Sequence, residues 1–344
     1  MQMRRPQRLR RGDRVAAVTL SWGGPAAVPH RYAAGKAQLE HTFGLEVVEL
    51  PLTLAPPERV AEDPAGRAAD LHRAFADPTI AGVISTIGGD DSIRLLPHLD
   101  LALLAANPKV FLGYSDSTIV HMALRRAGVA SFYGPSVMAG FGENAGLHPY
   151  LIEGVRSALF DPVAPLDWPP NTDGWTVEHL DWEDPSTQEQ PRRLEPSTGW
   201  RWHGGMPGRG PALVGCLEVL DWLRGTAFWP DLDGVVLFLE SSEEAPPPSY
   251  LTGFLRALAA SGELGRIAGL VLGRPGGALN EQERLAYDDA LLGVVRQEEG
   301  LDALPVVTGV DFGHTDPIWT IPQGIPVAIG PDVQRITFLE AGVT

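Results

Sequence analysis

The first part of the chain alternates short apolar runs, rich in β-branched residues, with stretches of helical length. The strand-like runs begin with Val15–Leu20, and the helical stretches begin with His30–Phe43, which ends at Gly44, a common helix C-cap. Further strand-like runs lie at 45–50, 80–87 and 109–113, and further helical stretches at 63–76 and 117–127. This alternation predicts an α/β fold whose N-terminal part is a parallel sheet covered by helices, of the flavodoxin or Rossmann type.

Ligands of such sheets bind beyond the carboxyl ends of the strands. The loops after Leu20, Ile87 and Gly113 are therefore the first places to look for a site.

The composition changes between about Asp161 and Pro211, where Pro, Asp, Glu and Trp are frequent and the periodicity fades. A chain of 344 residues is long enough for about two domains. We expect an N-terminal α/β domain at 1–165, a tryptophan-rich connector at 166–206 and a smaller C-terminal α/β domain at 207–344. Strand-like runs in the last part lie at 234–239, 267–272 and 305–310, and runs at 326–329 and 336–339 predict an antiparallel hairpin.

The charge balance excludes some partners. Lys and Arg number 27 against 43 Asp and Glu, a formal net charge of −16, which repels phosphate backbones and anionic lipid. We therefore expect no nucleic-acid partner and no membrane-surface role. The single cysteine, Cys216, cannot form an intrachain disulfide or a cysteine-rich metal site, and its apolar surroundings predict a buried, inert thiol. No apolar window is long enough to span a bilayer, so we expect a cytoplasmic protein.

The sequence GYSDS at 113–117 follows an apolar run and precedes a helical stretch. Gly-x-Ser-x-small at a strand-to-helix turn is typical of a nucleophile elbow, which presents the serine hydroxyl at the edge of the sheet. Ser115 is then the candidate nucleophile, and the backbone N–H of Asp116 is a candidate oxyanion donor near a helix N-terminus. Alternatively, Ser115 or Ser117 only caps the helix.

A second candidate oxyanion donor lies in TIGGDDS at 86–92. Gly88 and Gly89 follow a predicted strand, and without side chains their backbone N–H groups are open to a ligand above the sheet. A plain turn explains the two glycines equally well.

A serine nucleophile needs a base, and the base needs a carboxylate that orients it. His314 follows a predicted buried strand, whereas His121 lies on the helix after the elbow and would point away from Ser115. Glu240 ends an all-apolar strand, where an unpaired charge would be unfavourable. The order Ser, Glu, His is one known triad order. A metal site within DFGHTD at 311–316 is the competing interpretation, which its single histidine weakens.

The chain resembles the LD-carboxypeptidase family of serine peptidases in seven segments: TIGGDDSIRLLP at 86–97, FLGYSDST at 111–118, SFYGPS at 131–136, LVGCLEVL at 213–220, FLESSEEAP at 238–246, LGRP at 272–275 and GHTDP at 313–317. Within that family it is more similar to the microcin C immunity (self-resistance) branch. The grounds are the GGDDS loop, the tryptophan-rich connector and the LESSEEAP form.

The resemblance implies a Ser–Glu–His triad of Ser115, Glu240 and His314, with the Gly89 and Asp116 amides as the oxyanion hole. It also implies a flavodoxin- or Rossmann-like N-terminal domain, a smaller C-terminal α/β domain like a swivelling β-barrel, a homodimer, and neither metal nor organic cofactor.

Two substrates fit the resemblance. The immunity branch cleaves the amide between a peptidyl or aminoacyl group and a modified adenylate, and the classical branch trims terminal D-alanine from murein tetrapeptides. We favour the peptidyl- or aminoacyl-nucleotide. We expect Trp182, with Trp175 behind it, to stack on the base, and Gly88 and Arg274 to contact substrate. A non-catalytic α/β protein that binds a nucleotide or peptide is the alternative from another class.

Overall fold

A computed structural model describes residues 3–344 as two β-sheets with helices packed around them. The strands are β1 Arg14–Val18, β2 Glu46–Glu49, β3 Ile80–Ser85, β4 Val110–Gly113, β5 Ser131–Tyr133, β6 Leu166–Asp167, β7 Arg201–Trp202, β8 Gly208–Cys216, β9 Val236–Glu240, β10 Gly269–Gly273, β11 Val306–Val310, β12 Ile321–Gln323, β13 Pro326–Gly330 and β14 Arg335–Phe338.

The helices follow the predicted alternation in the first half of the chain and cover both sheets. They are α1 Gly24–Ala27, α2 Pro29–Phe43, α3 Pro57–Glu62, α4 Pro64–Ala76, α5 Leu101–Ala106, α6 Thr118–Arg126, α7 Pro149–Leu159, α8 Leu217–Trp222, α9 Pro248–Ala260 and α10 Glu281–Leu292. Gly44 ends α2 in the left-handed conformation, with φ of 70°. None of the helices within residues 3–344 combines the length and the apolar character needed to cross a membrane.

Sheet A has the strand order β12-β5-β4-β3-β1-β2, in which β2-β1-β3-β4-β5 are parallel and β12 is antiparallel. The parallel part has the flavodoxin-like order. Its central strands are buried, because helices cover both faces of the sheet. The predicted α/β class and the N-terminal parallel sheet are confirmed.

Sheet B has the order β6-β14-β13-β8-β9-β10-β11-β7 and curls into a half-barrel. Strands β8 to β11 are parallel, and β13 and β14 form the predicted antiparallel hairpin. The smaller α/β unit predicted for the C-terminal part is therefore present. The domain boundaries at 165 and 207 remain a prediction. Strands β6 and β7, which lie in the predicted connector, pair with the two edges of sheet B.

Gln323 joins the two sheets. It lies on β12 at the edge of sheet A and is fully buried. Its side-chain amide accepts from the backbone N–H of Val214 at 2.8 Å and donates to the Val214 carbonyl at 2.9 Å, as a peptide group would. Because Val214 is on β8, this contact holds the β12 edge of sheet A against a central strand of sheet B.

Candidate active site

Ser115 lies at the turn between β4 and α6, in a left-handed backbone conformation with φ of 60°. A non-glycine residue keeps this conformation only where its surroundings impose it. Here the backbone N–H of Ser115 donates to the Tyr133 hydroxyl at 3.0 Å, and its carbonyl accepts from Thr118 Oγ1 at 2.7 Å. Ser115 is partly exposed, whereas its two neighbours in the chain are buried. The turn has the geometry expected of a nucleophile elbow.

The loop after β3 lies directly against this serine. A Cβ added to Gly88 would stand 3.0 Å from Ser115 Oγ and 3.7 Å from the Asp116 nitrogen. Gly89 follows with φ of 139°, a conformation that favours glycine. Among residues 3–344, the backbone N–H groups of Gly89 and Asp116 have no hydrogen-bond acceptor. Two unpaired donors thus flank the exposed hydroxyl.

The Asp116 carboxylate fixes that loop. It is buried and accepts hydrogen bonds from the N–H groups of Asp91 at 3.1 Å and Ser92 at 2.9 Å. Burial raises the pKa of Asp116, although these hydrogen bonds oppose the change. The fully buried Arg67 holds the other side of the loop through an ion pair with Asp91 at 2.5 Å. No local sequence pattern indicates this role of Arg67.

Glu240 and His314 meet at the end of β9. Glu240 is fully buried; its Oε2 lies 2.6 Å from His314 Nδ1, and its Oε1 accepts from the Tyr133 hydroxyl at 2.5 Å. The loop that carries the histidine comes this close because Gly313 has no side chain: a Cβ there would stand 2.6 Å from Glu240 Cβ. Three hydrogen bonds therefore connect the Ser115 backbone to the His314 ring through Tyr133 and Glu240.

The other ring nitrogen of His314 faces a second carboxylate. Its Nε2 lies 3.1 Å from Glu243 Oε2, and no hydrogen bond within residues 3–344 joins it to Ser115. The His314 side chain is 6% exposed and its ring centre is 4.9 Å from that of Tyr114, so the ring packs against the residue before Ser115 and is shielded from bulk solvent. Burial lowers the pKa of His314, but the carboxylates, Glu240 foremost, outweigh it and raise the pKa to about 9.

His121 has a structural role, as expected from its place on α6. It is fully buried, its Nε2 donates to the Gly113 carbonyl at 2.9 Å and its Nδ1 accepts from the Ser131 hydroxyl at 2.7 Å. Because a carbonyl can only accept, the Nε2 proton is assigned by this contact. Burial lowers the pKa of His121 to about 4, so the ring is neutral.

The metal site considered at 311–316 does not form. Asp311 pairs with Arg274 at 2.8 Å, and Asp316 pairs with Arg192 at 2.7 Å. Within residues 3–344, the one group with ligand atoms close together is Cys216, Glu240 and His314, within 4.8 Å of one another. Burial raises the pKa of Cys216 well above its usual value, which keeps the thiol protonated and makes it a poor ligand.

The structure buries two of the predicted substrate contacts, Arg274 and Trp175. Arg274 is 4% exposed, pairs with Asp311, and lies over the Trp175 ring with its guanidinium carbon 4.6 Å from the centroid. Trp175 is also 4% exposed, and the Arg284 guanidinium lies over it at the same distance. Neither residue has free surface for a ligand, because the connector folds onto sheet B and buries them.

Trp182 differs from Trp175 in being partly exposed. The Arg31 guanidinium lies 4.4 Å from its ring centroid, and the His179 ring centre is 5.9 Å away. Burial lowers the pKa of Arg31 to about 10, although the charge of the nearby Glu143 carboxylate opposes this shift. Arg31 therefore stays cationic at neutral pH, beside an indole that a ligand can still reach.

Comparison with known proteins identifies the family of this chain. The model of the LD-carboxypeptidase N-terminal domain matches residues 15–134, and that of the C-terminal domain matches residues 209–329. A Streptomyces coelicolor protein, named a carboxypeptidase by inference, is 32% identical over 345 residues, covering 97% of this chain and 95% of the relative. The chain belongs to the LD-carboxypeptidase family. It is accordingly a hydrolase of the serine carboxypeptidase type.

Relatives within the family carry two kinds of name. The microcin C7 self-immunity protein MccF of Escherichia coli is 27% identical over 279 residues, covering 80% of this chain and 78% of the relative. A Bacillus subtilis protein, named a murein peptide carboxypeptidase by inference, is 26% identical over 281 residues, covering 81% and 77%. The names of these relatives point to two different substrates within one family.

Solved structures of the family share the fold. An MccF-like protein from Streptococcus pneumoniae, in complex with AMP, has a TM-score of 0.84 and 29% identity, covering 95% of this chain and 98% of that one. The microcin C7 self-immunity protein MccF in complex with aspartyl sulfamoyl adenosine has a TM-score of 0.83 and 24% identity, covering 99% and 100%. At the latter identity the likeness concerns the fold alone.

Proposed function

We propose that this LD-carboxypeptidase homologue hydrolyses an amide with Ser115 as nucleophile, His314 as general base and Glu240 as the carboxylate that orients the base. The observation that carries the proposal is the hydrogen-bonded path from the strained turn at Ser115 through Tyr133 and Glu240 to His314. Strained backbone and a buried acid–base pair are features that folds keep where chemistry requires them.

In the reaction, His314 Nε2 takes the proton of Ser115 Oγ as the oxygen attacks the carbonyl carbon. The Glu240 carboxylate keeps the Nδ1 proton of the ring in place and stabilises the imidazolium that forms. The imidazolium then gives its proton to the leaving nitrogen, and water hydrolyses the acyl-enzyme by the same steps. His314 reaches Ser115 only when Nε2 leaves Glu243, and hydrogen bonds of this kind often tighten when substrate binds.

The N–H groups of Gly89 and Asp116 are the proposed oxyanion donors. Gly88→Ala tests this, because the new methyl group would stand 3.0 Å from Ser115 Oγ, in the space that a substrate carbonyl needs. We expect kcat/KM to fall by about 10²-fold or more, as loss of an oxyanion donor does. We expect the melting temperature to change little. Gly265→Ala is the control, since a Cβ there meets nothing within 4 Å; equal rates for the two variants would contradict the assignment.

Glu243 sets the pH range of the base. Its carboxylate favours the charged form of His314, so Glu243→Gln should lower the pKa of His314 and raise the neutral, reactive fraction near pH 7. The acidic limb of the kcat/KM profile should therefore move to lower pH. Because the Glu243 side chain is 70% exposed, salt should reduce the difference between the two profiles. Glu244→Gln, at the next exposed glutamate, should leave the profile unchanged.

For substrate, we propose a peptidyl- or aminoacyl-nucleotide, as the names of the E. coli relative and of the pneumococcal AMP complex favour. The partly exposed indole of Trp182 suits a heteroaromatic base, and the buried Arg31 guanidinium beside it supports the ring from within the protein. A murein tetrapeptide is the second candidate, which the name of the B. subtilis relative favours. A non-catalytic binding protein no longer fits a chain of this family.

One experiment separates the two substrates. The wild-type protein and Ser115→Ala are incubated with an aminoacyl sulfamoyl adenosine and, separately, with a murein tetrapeptide, and products are followed by mass spectrometry. We expect release of free amino acid with sulfamoyl adenosine by the wild type only. Release of D-alanine from the tetrapeptide alone would select the second candidate.

We also propose a homodimer in the cytoplasm; sedimentation at a mass near 37.0 kDa would contradict the dimer.

A further inference from the structure

Two buried hydroxyl groups connect the turn at Ser115 to sheet B. The Tyr133 hydroxyl accepts from the Ser115 N–H at 3.0 Å and donates to Glu240 Oε1 at 2.5 Å. The Thr118 hydroxyl donates to the Ser115 carbonyl at 2.7 Å and accepts from the Cys216 N–H at 3.1 Å. Both polar groups of the Ser115 backbone are therefore tied, through one hydroxyl each, to the other sheet.

The two anchor points on sheet B are themselves neighbours. Cys216 is the last residue of β8 and Glu240 the last of β9, and they are directly paired in the parallel register of these strands. Tyr133 and Thr118 are 1% and 0% exposed, so water does not compete for these hydrogen bonds. Burial and the Glu240 charge raise the pKa of Tyr133 well above its usual value, so the phenol keeps the proton that it donates.

We propose that Tyr133 and Thr118 form a hydroxyl clamp that sets the position of the nucleophile relative to the acid–base pair. Both are positioning residues, and the proposal rests on the triad proposed above. The nucleophile is on sheet A and the acid and base are on sheet B, so their separation depends on how the sheets are held together. The clamp acts at the nucleophile itself, because it fixes the N–H and the carbonyl of Ser115 in the strained conformation.

The two residues differ in one respect that an experiment can use. Tyr133 donates to the Glu240 carboxylate directly, whereas Thr118 hydrogen-bonds backbone groups and the Tyr133 phenol and has no hydrogen bond to Glu240. Loss of the Tyr133 hydroxyl leaves Glu240 with one donor fewer, so its charge interacts more strongly with the His314 imidazolium. The titratable groups that face His314 are Glu240, Glu243, Glu218, Cys216 and Tyr114, and none of them is changed by either substitution.

The test uses Tyr133→Phe and Thr118→Val, which remove the hydroxyls and keep the shapes. For each variant we expect kcat to fall by about 100-fold, the loss typical of a misplaced reacting group, with KM nearly unchanged. The rate at which a fluorophosphonate labels the serine, with loss of fluoride, should fall in parallel. The acidic limb of the kcat/KM profile should move to higher pH in Tyr133→Phe and stay in place in Thr118→Val.

Two controls complete the design. Thr118→Ser keeps the hydroxyl and should retain the wild-type rate. Tyr150→Phe removes another buried phenol, which donates a 2.9 Å hydrogen bond to the Pro169 carbonyl and, among residues 3–344, has no hydrogen bond to the turn at Ser115. This substitution should leave kcat and the pH profile unchanged. If Tyr133→Phe and Thr118→Val react as fast as Tyr150→Phe, the proposed hydroxyl clamp is contradicted, whereas the proposed triad is not affected. If Ser115→Ala is labelled and active like the wild type, the proposed triad fails and the clamp fails with it.

Discussion

Ser115→Ala is expected to abolish hydrolysis, lowering kcat by roughly 10⁴- to 10⁶-fold, the range seen when a serine nucleophile is removed from a working triad. The strained turn presents this hydroxyl at the carboxyl edge of sheet A, beside the Gly89 and Asp116 amides, which have no acceptor among residues 3–344. Removal of Oγ leaves those donors and the binding surface in place, so substrate binding should persist. The measurements are single-turnover rates and, separately, the dissociation constant of a sulfamoyl analogue.

Ser117→Ala is the matched control for this result. Ser117 lies two residues further along the same turn and is 2% exposed, and its Oγ has no hydrogen-bond partner among residues 3–344. Its loss should therefore change neither the rate nor the melting temperature by much. Retained activity in Ser115→Ala, or equal loss in both variants, would show that the serine acts only as part of the helix N-terminus.

Glu240→Gln is expected to lower kcat by about 10³- to 10⁴-fold near neutral pH, since the corresponding change in a triad has an effect of that size. In the unsubstituted protein, one oxygen of the Glu240 carboxylate accepts from the Tyr133 hydroxyl and the other accepts from His314 Nδ1. An amide in its place can present an N–H to the ring, which favours the tautomer protonated at Nε2. His314 then has no lone pair to offer Ser115.

The same substitution should also lower the pKa of His314, because Glu240 is the main group that raises it. NMR titration of the His314 imidazole measures that shift directly. Glu218→Gln is the control: Glu218 accepts from the Ser242 N–H at 3.1 Å and raises the pKa of His314 less than Glu240 and Glu243 do. Equal effects of the two substitutions would contradict a specific role for Glu240.

The local patterns of the sequence were sufficient for strands β1 to β4 of sheet A. The predicted strands at 80–87 and 109–113 correspond to β3 and β4, and α2 ends at Gly44 as predicted. Buried parallel strands and helix ends can be predicted locally because apolar runs and glycine caps mark them. Strand β12 had no such signal. It has three residues, and it pairs with β5, which lies far away in sequence.

The tryptophans of the connector show the limit of reasoning from composition. Trp168 and Trp200 are 2% and 9% exposed and pack in the core beside sheet B, and Trp175 is buried under two guanidiniums. Trp182 and Trp202 stay partly exposed. A local run of Trp, Pro and acidic residues does not reveal which rings the rest of the fold will cover.

By itself, the sequence determined the α/β class, the turn that carries Ser115 and the candidate acid and base, because each depends on neighbouring residues or on a family motif. Only the tertiary structure decided that Tyr133 and Thr118 lie between the sheets, that Glu243 faces the base and that Arg274 is an interior ion pair. These contacts join residues from different parts of the chain. Their geometry depends on how two separately patterned sheets pack, and no local pattern encodes that.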